Sequence, residues 1–342
     1  MADFTRQLIG YVADVRTDSP DVFVIGAGVS GLSTALVLLE AGLSVTAYAA
    51  DPPQRTTSAV AGALWGAHLV GADERVGHWA AVTLRRFRDL CAEPASGVRE
   101  IGGFVASAGR AEPDPPSFAR DAGSLTSCDP ADLPDGYTSG WRYTAPVIAM
   151  PAYLDYLLDL VLAKGGQLHL GQPLRSLADA GQRSAAPIIV NCAGIGAREL
   201  VPDPALIPVR GQVVVAANPG LTEFFVGEGA GEDQVSYIFP HGAIVVLGGT
   251  QQPGVDSLRP DPAAAERILA SCAAVEPRLA GAPVLAHRVG LRPVRPQVRL
   301  ATTALPGGRQ LVHNYGHGGA GVTLSWGCAH AVLAEVTGLA GR

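Results

Sequence analysis

Residues 22–31 read VFVIGAGVSG, an apolar run that ends in a glycine-rich turn. We expect a buried strand followed by a helix, with Gly26, Gly28 and Gly31 forming a GxGxxG fingerprint. Gly26 permits the tight turn, Gly28 lets the backbone approach a pyrophosphate, and Gly31 lets the helix pack close to its strand. The helix N-terminus offers free N–H groups and partial positive charge to phosphates. The stretch predicts a dinucleotide site, although an ordinary strand-turn-helix is the alternative.

A second strand-like run follows at residues 45–48 and leads to Asp51. An acidic residue about 20 positions after the glycine turn is suited to the hydroxyls of an adenosine ribose. We therefore assign Asp51 to the ribose. From the three glycines alone, a nicotinamide dehydrogenase is also conceivable.

The composition excludes several classes of protein. The chain has 342 residues, of which 48% are hydrophobic, and this length suits two domains. Its net charge of −6 argues against a nucleic-acid partner. The five cysteines form no CxxC pair and the histidines show no zinc-ligand spacing, so we expect free thiols and no metal. Residues 1–20 contain no signal-peptide core, and glycines interrupt the most apolar run, so we expect a cytoplasmic protein without membrane contact.

The order of the patterns suggests a discontinuous domain. A helix is predicted from Met150, buried strands at residues 187–194 and 311–315, and a long helix at 322–339. Between them, residues 213–215, 237–240 and 244–247 read as an antiparallel meander. We expect an α/β fold in which a mixed-sheet substrate domain is inserted into a Rossmann-like domain. The Rossmann-like domain comprises residues 21–71, 150–206 and 296–342, the inserted domain 72–149 and 207–295, and residues 1–20 are an extension.

Seven segments together resemble the D-amino-acid oxidase family, a branch of the FAD-dependent amine oxidases. The resemblance extends from Val22 to Ala334. The segments are GAGVSGLSTAL (26–36), TTSAVAGALW (56–65), IIVNCAG (188–194), RGQ (210–212), SYIFP (236–240), GLRPVRPQVRL (290–300) and HNYGHGGAGVTLSWG (313–327).

The resemblance implies non-covalent FAD and the oxidation of a D-amino acid to an imino acid, with O2 reduced to H2O2. The imino acid then hydrolyses to a 2-oxo acid and ammonia. A neutral amine pushes hydride from the α carbon toward the flavin, so catalysis needs mainly positioning and electrostatics. A homodimer is implied by analogy only.

The resemblance also assigns the substrate site. Arg292 is the expected carboxylate anchor because a guanidinium forks onto a carboxylate with two hydrogen bonds. Tyr237 is expected to donate to the same carboxylate, and the carbonyl of Gly319 to accept from the amine. The neighbouring Arg295 is the alternative candidate, which we expect instead to be a structural ion-pair arginine.

The expected FAD contacts are spread over the matching segments. Thr56, Thr57 and Ser58 are assigned to the phosphates and ribityl chain, and Cys192 is not expected to be reactive. The start of the last helix is expected to stabilise negative charge on the reduced flavin. The full set is Gly26, Ala27, Gly28, Val29, Ser30, Gly31, Asp51, Thr56, Thr57, Ser58, Ala63, Leu64, Cys192, Ala193, Gly318, Gly321, Val322 and Thr323.

Two departures from relatives bear on the substrate. Asp233 stands where many vertebrate relatives carry a second pocket tyrosine, and its loop, residues 227–233, is either a mobile lid or a solvated surface loop. Gln251 stands where the D-aspartate oxidase branch places an arginine. We therefore expect neutral or basic D-amino acids. The alternatives are an oxidase of glycine, sarcosine, proline or a pathway-specific amine, and a non-catalytic FAD-binding protein.

Overall fold

The computed structural model describes residues 19–66, 70–71, 73–108, 117–228 and 235–340. The expected extension therefore lies outside the described residues except for its last two positions. The helices are α1 (Val29–Glu40), α2 (Thr57–Val60), α3 (Arg75–Leu90), α4 (Ser117–Ala122), α5 (Met150–Ala163), α6 (Leu177–Arg183), α7 (Ala197–Leu200), α8 (Pro262–Val275) and α9 (Gly321–Ala340). The strands are β1 (Val22–Ile25), β2 (Val45–Ala49), β3 (Val98–Ser107), β4 (Thr126–Ser127), β5 (Ser139–Ile148), β6 (Gln167–Leu170), β7 (Ile188–Asn191), β8 (Ile207–Ala217), β9 (Phe224–Glu228), β10 (Val235–His241), β11 (Ile244–Gly248), β12 (Gln252–Pro253), β13 (Val284–Ala304) and β14 (Gln310–His317).

The first part of the sheet is parallel and has the order β6-β2-β1-β7-β14. All four residues of β1 are buried, as expected for a strand covered on both faces. Helices α1, α5 and α9 pack together on one face of these strands. The carboxyl ends of parallel strands meet at one edge, which is where an open α/β sheet binds its ligands.

The second part of the sheet is mixed and has the order β4-β5-β3-β9-β10-β11-β8-β13. The predicted antiparallel pairing of its central strands is confirmed, since β10 pairs β11 and β11 pairs β8. The predicted order of the meander is wrong, because β8 pairs with the third predicted strand instead of the second. The sequence analysis did not predict strands β3 and β5, because their buried residues do not alternate with exposed ones. These strands are covered by α3 and α4.

Strand β13 joins the two parts. Its residues from Val284 to Val294 pair with β8, and those from Arg299 to Ala304 pair with β14. The strand therefore runs without interruption through the expected boundary between residues 295 and 296. Its middle brings Arg292 to the junction of the two sheet regions.

The position of helix α1 explains why it is buried. Helix α1 is buried almost throughout because it lies between the sheet and helices α5 and α9. Across the described ranges, every helix is too short or too polar to traverse a bilayer.

Candidate functional site

A cavity of about 760 Å³ opens at the carboxyl ends of the parallel strands and continues under the mixed sheet. Its volume is in the range of small-molecule and cofactor sites. Every residue assigned above to substrate or cofactor lines this cavity except Gly31. The structure thus brings together segments that are almost 300 positions apart in sequence, from Gly26 to Thr323.

Helix α1 points its N-terminus at the cavity. Its N-cap residue, Gly28, has no side chain to cap it, Ser58 Oγ takes one of its N–H groups, that of Val29, and its first turn has no acidic residue. The backbone of Gly28 lines the cavity, where a Cβ would approach Ser58 Oγ to 3.1 Å. Gly31 lies inside, where a Cβ would come within 2.8 Å of the carbonyl carbon of Gly26, so its predicted packing role is confirmed. A helix N-terminus that faces a cavity, with N–H groups left beyond that of Val29, fits the pyrophosphate of a dinucleotide.

The three hydroxyls after β2 support the cavity wall. Ser58 Oγ accepts from the N–H of Val29 at 3.0 Å, and Thr56 donates to the carbonyl of Pro53 at 2.7 Å. Thr57 donates to the carbonyl of Leu291 at 3.2 Å. These bonds tie α2 to the start of α1 and to β13, next to the expected substrate residues.

The opposite end of the cavity lies on the loops after β2, β6 and β7. Asp51 lines it with an exposed side chain, and Ala193 follows β7. Burial raises the pKa of Cys192 to about 11, so its thiol stays protonated at neutral pH. The sequence interpretation missed lining residues that lie at the ends of parallel strands or after them, a signal that could have identified them. They are Tyr48, Gln172, Pro173, Leu174, Arg175, Ile195, Glu199 and Leu200.

Arg292 lies at the other end of the cavity. Its Nη1 donates to the carbonyl of Thr250 at 3.0 Å. Its guanidinium lies over Gly211, where a Cβ would be within 2.6 Å of Cζ. No carboxylate pairs with it among the described residues, so its charge is available to a ligand.

Tyr237 lies beside Arg292 on β10. Burial raises the pKa of its phenol, while the charge and hydrogen bonding of Arg292 oppose that rise. Its ring rests on Gly248 and Gly249, where an added Cβ would lie too close to the ring carbons of Tyr237. The phenol is therefore a protonated hydrogen-bond donor held next to a free cation.

Arg295 has a different environment. Its Nε lies 3.0 Å from Asp203 Oδ2, and Arg299 lies 3.3 Å from the same oxygen. The hydroxyl of Tyr315 donates to that oxygen at 2.8 Å. Burial would raise the pKa of Asp203, but these donors hold it below its ordinary value. The prediction that Arg295 is a structural ion-pair arginine is confirmed.

The glycine turn before α9 closes the cavity. The N–H of Gly318 donates to the carbonyl of Pro293 at 2.9 Å, which ties the turn to the strand carrying Arg292. Gly319 is exposed and lines the cavity. His317 bonds through Nε2 to Asn314 Oδ1 at 3.0 Å, and burial lowers its pKa to about 4. The hydroxyl of Thr323 donates to the carbonyl of Gly66 at 2.8 Å, so only its backbone is free for a ligand.

The cavity around Tyr237 has an apolar lining that the sequence interpretation did not identify. Val105, Val226 and Tyr237 are lateral neighbours on β3, β9 and β10. Such residues share a face of the sheet, which explains why they meet, but strand pairing is not visible in the sequence. The lining side chains of this region are Val105, Phe118, Tyr143, Val213, Val226, Val235 and Phe239.

Two expectations concern the loop before β10. Gly227 and Glu228 end β9, whereas residues 229–234, including Asp233, lie outside the described residues. The choice between a lid and a surface loop therefore stays a prediction.

In the described ranges, no group of three or more histidine, cysteine or acidic side chains is arranged to hold a metal.

Comparisons with known proteins agree with this geometry. A family model described as FAD dependent oxidoreductase (DAO) matches residues 21–335. A D-amino-acid oxidase of Rubrobacter xylanophilus is 49% identical over 311 residues, covering 91% of this chain and 94% of its own. A D-amino-acid oxidase of Streptomyces coelicolor is 44% identical over 310 residues, covering 90% and 94%.

A solved structure supports the fold. The crystal structure of glycine oxidase from Geobacillus kaustophilus matches with a TM-score of 0.76 and 17% identity, covering 93% of this chain and 94% of that chain. At this identity the likeness concerns the fold alone. The family model and the curated relatives show that the chain belongs to the DAO family of FAD-dependent oxidoreductases, in the branch of the D-amino-acid oxidases.

Proposed function

We propose that this protein oxidises D-amino acids with FAD, giving a 2-oxo acid, ammonia and H2O2. The observation that carries the proposal is that Arg292 and Tyr237 lie in the same cavity as the turn from Gly26 to Ser30. The curated relatives named D-amino-acid oxidase support the same activity. The chemistry supplied by bound FAD is the acceptance of a hydride from the substrate α carbon and delivery of two electrons to O2.

FAD would lie along the cavity, with its pyrophosphate at α1 and its ring toward Tyr237. The N-terminus of α1, which has no acidic residue in its first turn, and the backbone at Gly28 fit the phosphates. The loops at Asp51 and Ala193 would hold the adenosine, and residues 63 and 64 would border the ring. The start of α9, whose first turn has no acidic residue, would stabilise negative charge on the reduced ring.

The substrate carboxylate would bind to Arg292 and Tyr237. One N–H of Arg292 is used on Thr250, and a guanidinium has enough remaining donors to fork onto a carboxylate. Tyr237 adds a hydrogen bond from its protonated hydroxyl, because burial raises its pKa. The two donors fix the carboxylate at one end of the cavity.

The amine would bind at the glycine turn. The carbonyl of Gly319 would accept a hydrogen bond from the amine N–H. This bond would orient the amine so that its nitrogen lone pair can push hydride from the α carbon. Carboxylate, amine and side chain would then occupy three fixed places. With these three groups fixed, the single hydrogen of the α carbon faces the cofactor in only one enantiomer, so the attachment selects that enantiomer.

We propose that apolar D-amino acids are better substrates than charged ones, which keeps the neutral part of the expectation from the sequence and departs from its basic part. The side chains around Tyr237 are valines and aromatic residues. The other described charges of the cavity, Asp51, Arg55, Arg175 and Glu199, lie on the loops after the parallel strands. A charged substrate side chain would lose its hydration against this apolar lining without gaining a described partner.

The domain division, the location, the attachment of FAD and the oligomeric state are also proposals. We retain the division into a discontinuous FAD domain and an inserted substrate domain at the boundaries given above. We also retain the cytoplasmic location, the non-covalent attachment of FAD and the possibility of a homodimer, which the relatives' names do not address.

The test is anaerobic reduction of the purified yellow holoenzyme by a panel of amino acids. We expect bleaching of the flavin absorbance by D-valine, D-methionine and D-alanine, weaker bleaching by D-arginine and D-aspartate, and none by the L-enantiomers. Bleaching only by glycine, sarcosine or proline would support the alternative amine oxidase. A flavin that stays oxidised with every D-amino acid would refute the proposal.

A further inference from the structure

The guanidinium of Arg292 donates to the carbonyl of Thr250 and lies beside the phenol of Tyr237. The bond from Nη1 measures 3.0 Å, and the other side of the guanidinium rests on Gly211. A long arginine side chain has several rotamers, and holding one of them has an entropic cost. The carbonyl of Thr250 therefore decides where the remaining N–H groups of Arg292 point.

Thr250 is itself held by its side chain. The backbone N–H of Gln212 donates to Thr250 Oγ1 at 2.9 Å. This bond crosses from β8 to the segment that follows β11. The hydroxyl thus fixes the residue whose carbonyl receives Arg292.

The side chains of Arg210 and Gln212, in the RGQ segment of β8, also hold the residues that follow Thr250. Arg210, which is 3% exposed, donates to Gln252 Oε1 at 2.7 Å and to the carbonyls of Ser257 and Arg259 at 2.9 Å and 2.6 Å. Gln212 donates through Nε2 to the carbonyl of Asp261 at 2.8 Å. The side chains of Arg210 and Gln212 therefore clamp residues 250–261 against β8.

We propose that Thr250 is a positioning residue for substrate binding, acting through Arg292 and held by the clamp of Arg210 and Gln212. Thr250 touches neither substrate nor cofactor in this assignment; it orients the fork that binds the carboxylate. The inference rests on the proposed function, since it assumes that Arg292 binds the substrate carboxylate.

The experiment compares Thr250→Val, which removes the hydroxyl at similar volume, with Thr250→Ser, which keeps it. Benzoate is a suitable probe because it combines a carboxylate for Arg292 with a ring for the apolar lining. Its dissociation constant is measured on each holoenzyme from the change in flavin absorbance, and kcat and KM are measured with the best D-amino acid of the panel.

For Thr250→Val we expect about tenfold weaker benzoate binding and a similar rise in KM, the effect of one misplaced hydrogen bond. We expect kcat to change by less than about twofold. The reason is that the rotamer of Arg292 affects how tightly the carboxylate binds and does not affect the hydride-transfer step. Thr250→Ser should behave as the wild type, and FAD retention should be equal in all three proteins. The Tm of Thr250→Val should fall by only a few degrees, because the buried N–H of Gln212 loses its acceptor.

Three results would overturn the assignment. Equal benzoate affinity in Thr250→Val and wild type would refute the positioning role while leaving the proposed function intact. A parallel loss of FAD and of thermal stability in Thr250→Val would mark a general structural role instead. A wild type that binds no benzoate and is reduced by no D-amino acid would refute the proposed function and this inference together.

Discussion

Arg295 donates to the carboxylate of Asp203 at 3.0 Å, whereas Arg292, three residues earlier on the same strand, donates to the carbonyl of Thr250 and pairs with no carboxylate among the described residues. Residues three apart on a strand point to opposite faces, so the two guanidiniums serve different environments. The charge of Arg295 is neutralised by Asp203, whereas the charge of Arg292 remains available to a ligand. This difference separates the structural arginine from the proposed substrate arginine.

Replacing Arg292 by alanine should remove the carboxylate anchor. We expect a loss of about 3 kcal/mol of transition-state binding, or roughly a hundredfold in kcat/KM, measured by steady-state oxygen consumption. Arg295→Ala is the matched control, and it should lower Tm while changing kcat/KM far less. Equal kcat/KM values for Arg292→Ala and wild type would remove Arg292 from the site.

Replacing Tyr237 by phenylalanine should remove one donor to the carboxylate without changing the packing of the ring. A hydrogen bond to a charged group contributes about 1.5–3 kcal/mol, so we expect at least a tenfold loss in kcat/KM. Tyr137→Phe is the control, because Tyr137 is also partly buried but packs on Phe225 and is not among the lining residues of the cavity. If the two substitutions have the same small effect, the phenol of Tyr237 does not bind substrate.

Replacing Gly211 by alanine should displace Arg292. The new Cβ would lie within 2.6 Å of Cζ, so the guanidinium must move and substrate binding should weaken at least tenfold. Gly77→Ala is the control, because it lies in α3 with no atom within 4 Å of the added Cβ. Benzoate affinity measured by flavin absorbance distinguishes them, and retained affinity in Gly211→Ala would contradict the close contact.

These positions show which parts of the site the sequence could predict. The turn from Gly26 to Gly31 is local, so its glycines and the flanking strand and helix follow from a short stretch of sequence. Arg292, Tyr237 and Gly319 came from the resemblance to a family and not from their spacing. The contact of Gly211 with Arg292, and the face shared by Val105 and Val226, depend on strand pairing, which a local pattern does not encode.

The same reason explains the missed elements. Strands β3 and β5 pair with each other although they are not adjacent in sequence, and a local pattern does not encode that pairing. The order of β8, β10 and β11 was also wrong, since hydrophobic patterns predict strands but leave their partners open.

Two buried histidines predict a loss of stability on acidification. Burial lowers the pKa of His313 and His317 to about 4, below their ordinary value of 6.5. Between these values the unfolded chain binds more protons than the folded protein, so the free energy of unfolding falls as pH falls through this window. Each histidine contributes up to about 1.4 kcal/mol per pH unit.

Urea unfolding of the holoenzyme at pH 7 and pH 5 measures this loss. The variant His313→Gln should lose less stability between the two pH values than the wild type, since a glutamine does not titrate. An equal loss in both proteins would show that His313 is not kept neutral by burial.

The most direct test of the account is a crystal structure of the holoenzyme with benzoate bound. We predict that the carboxylate lies between the guanidinium of Arg292 and the hydroxyl of Tyr237, with the ring against the valines of the mixed sheet. A carboxylate bound elsewhere in the cavity, with Arg292 turned away from it, would contradict the proposed chemistry.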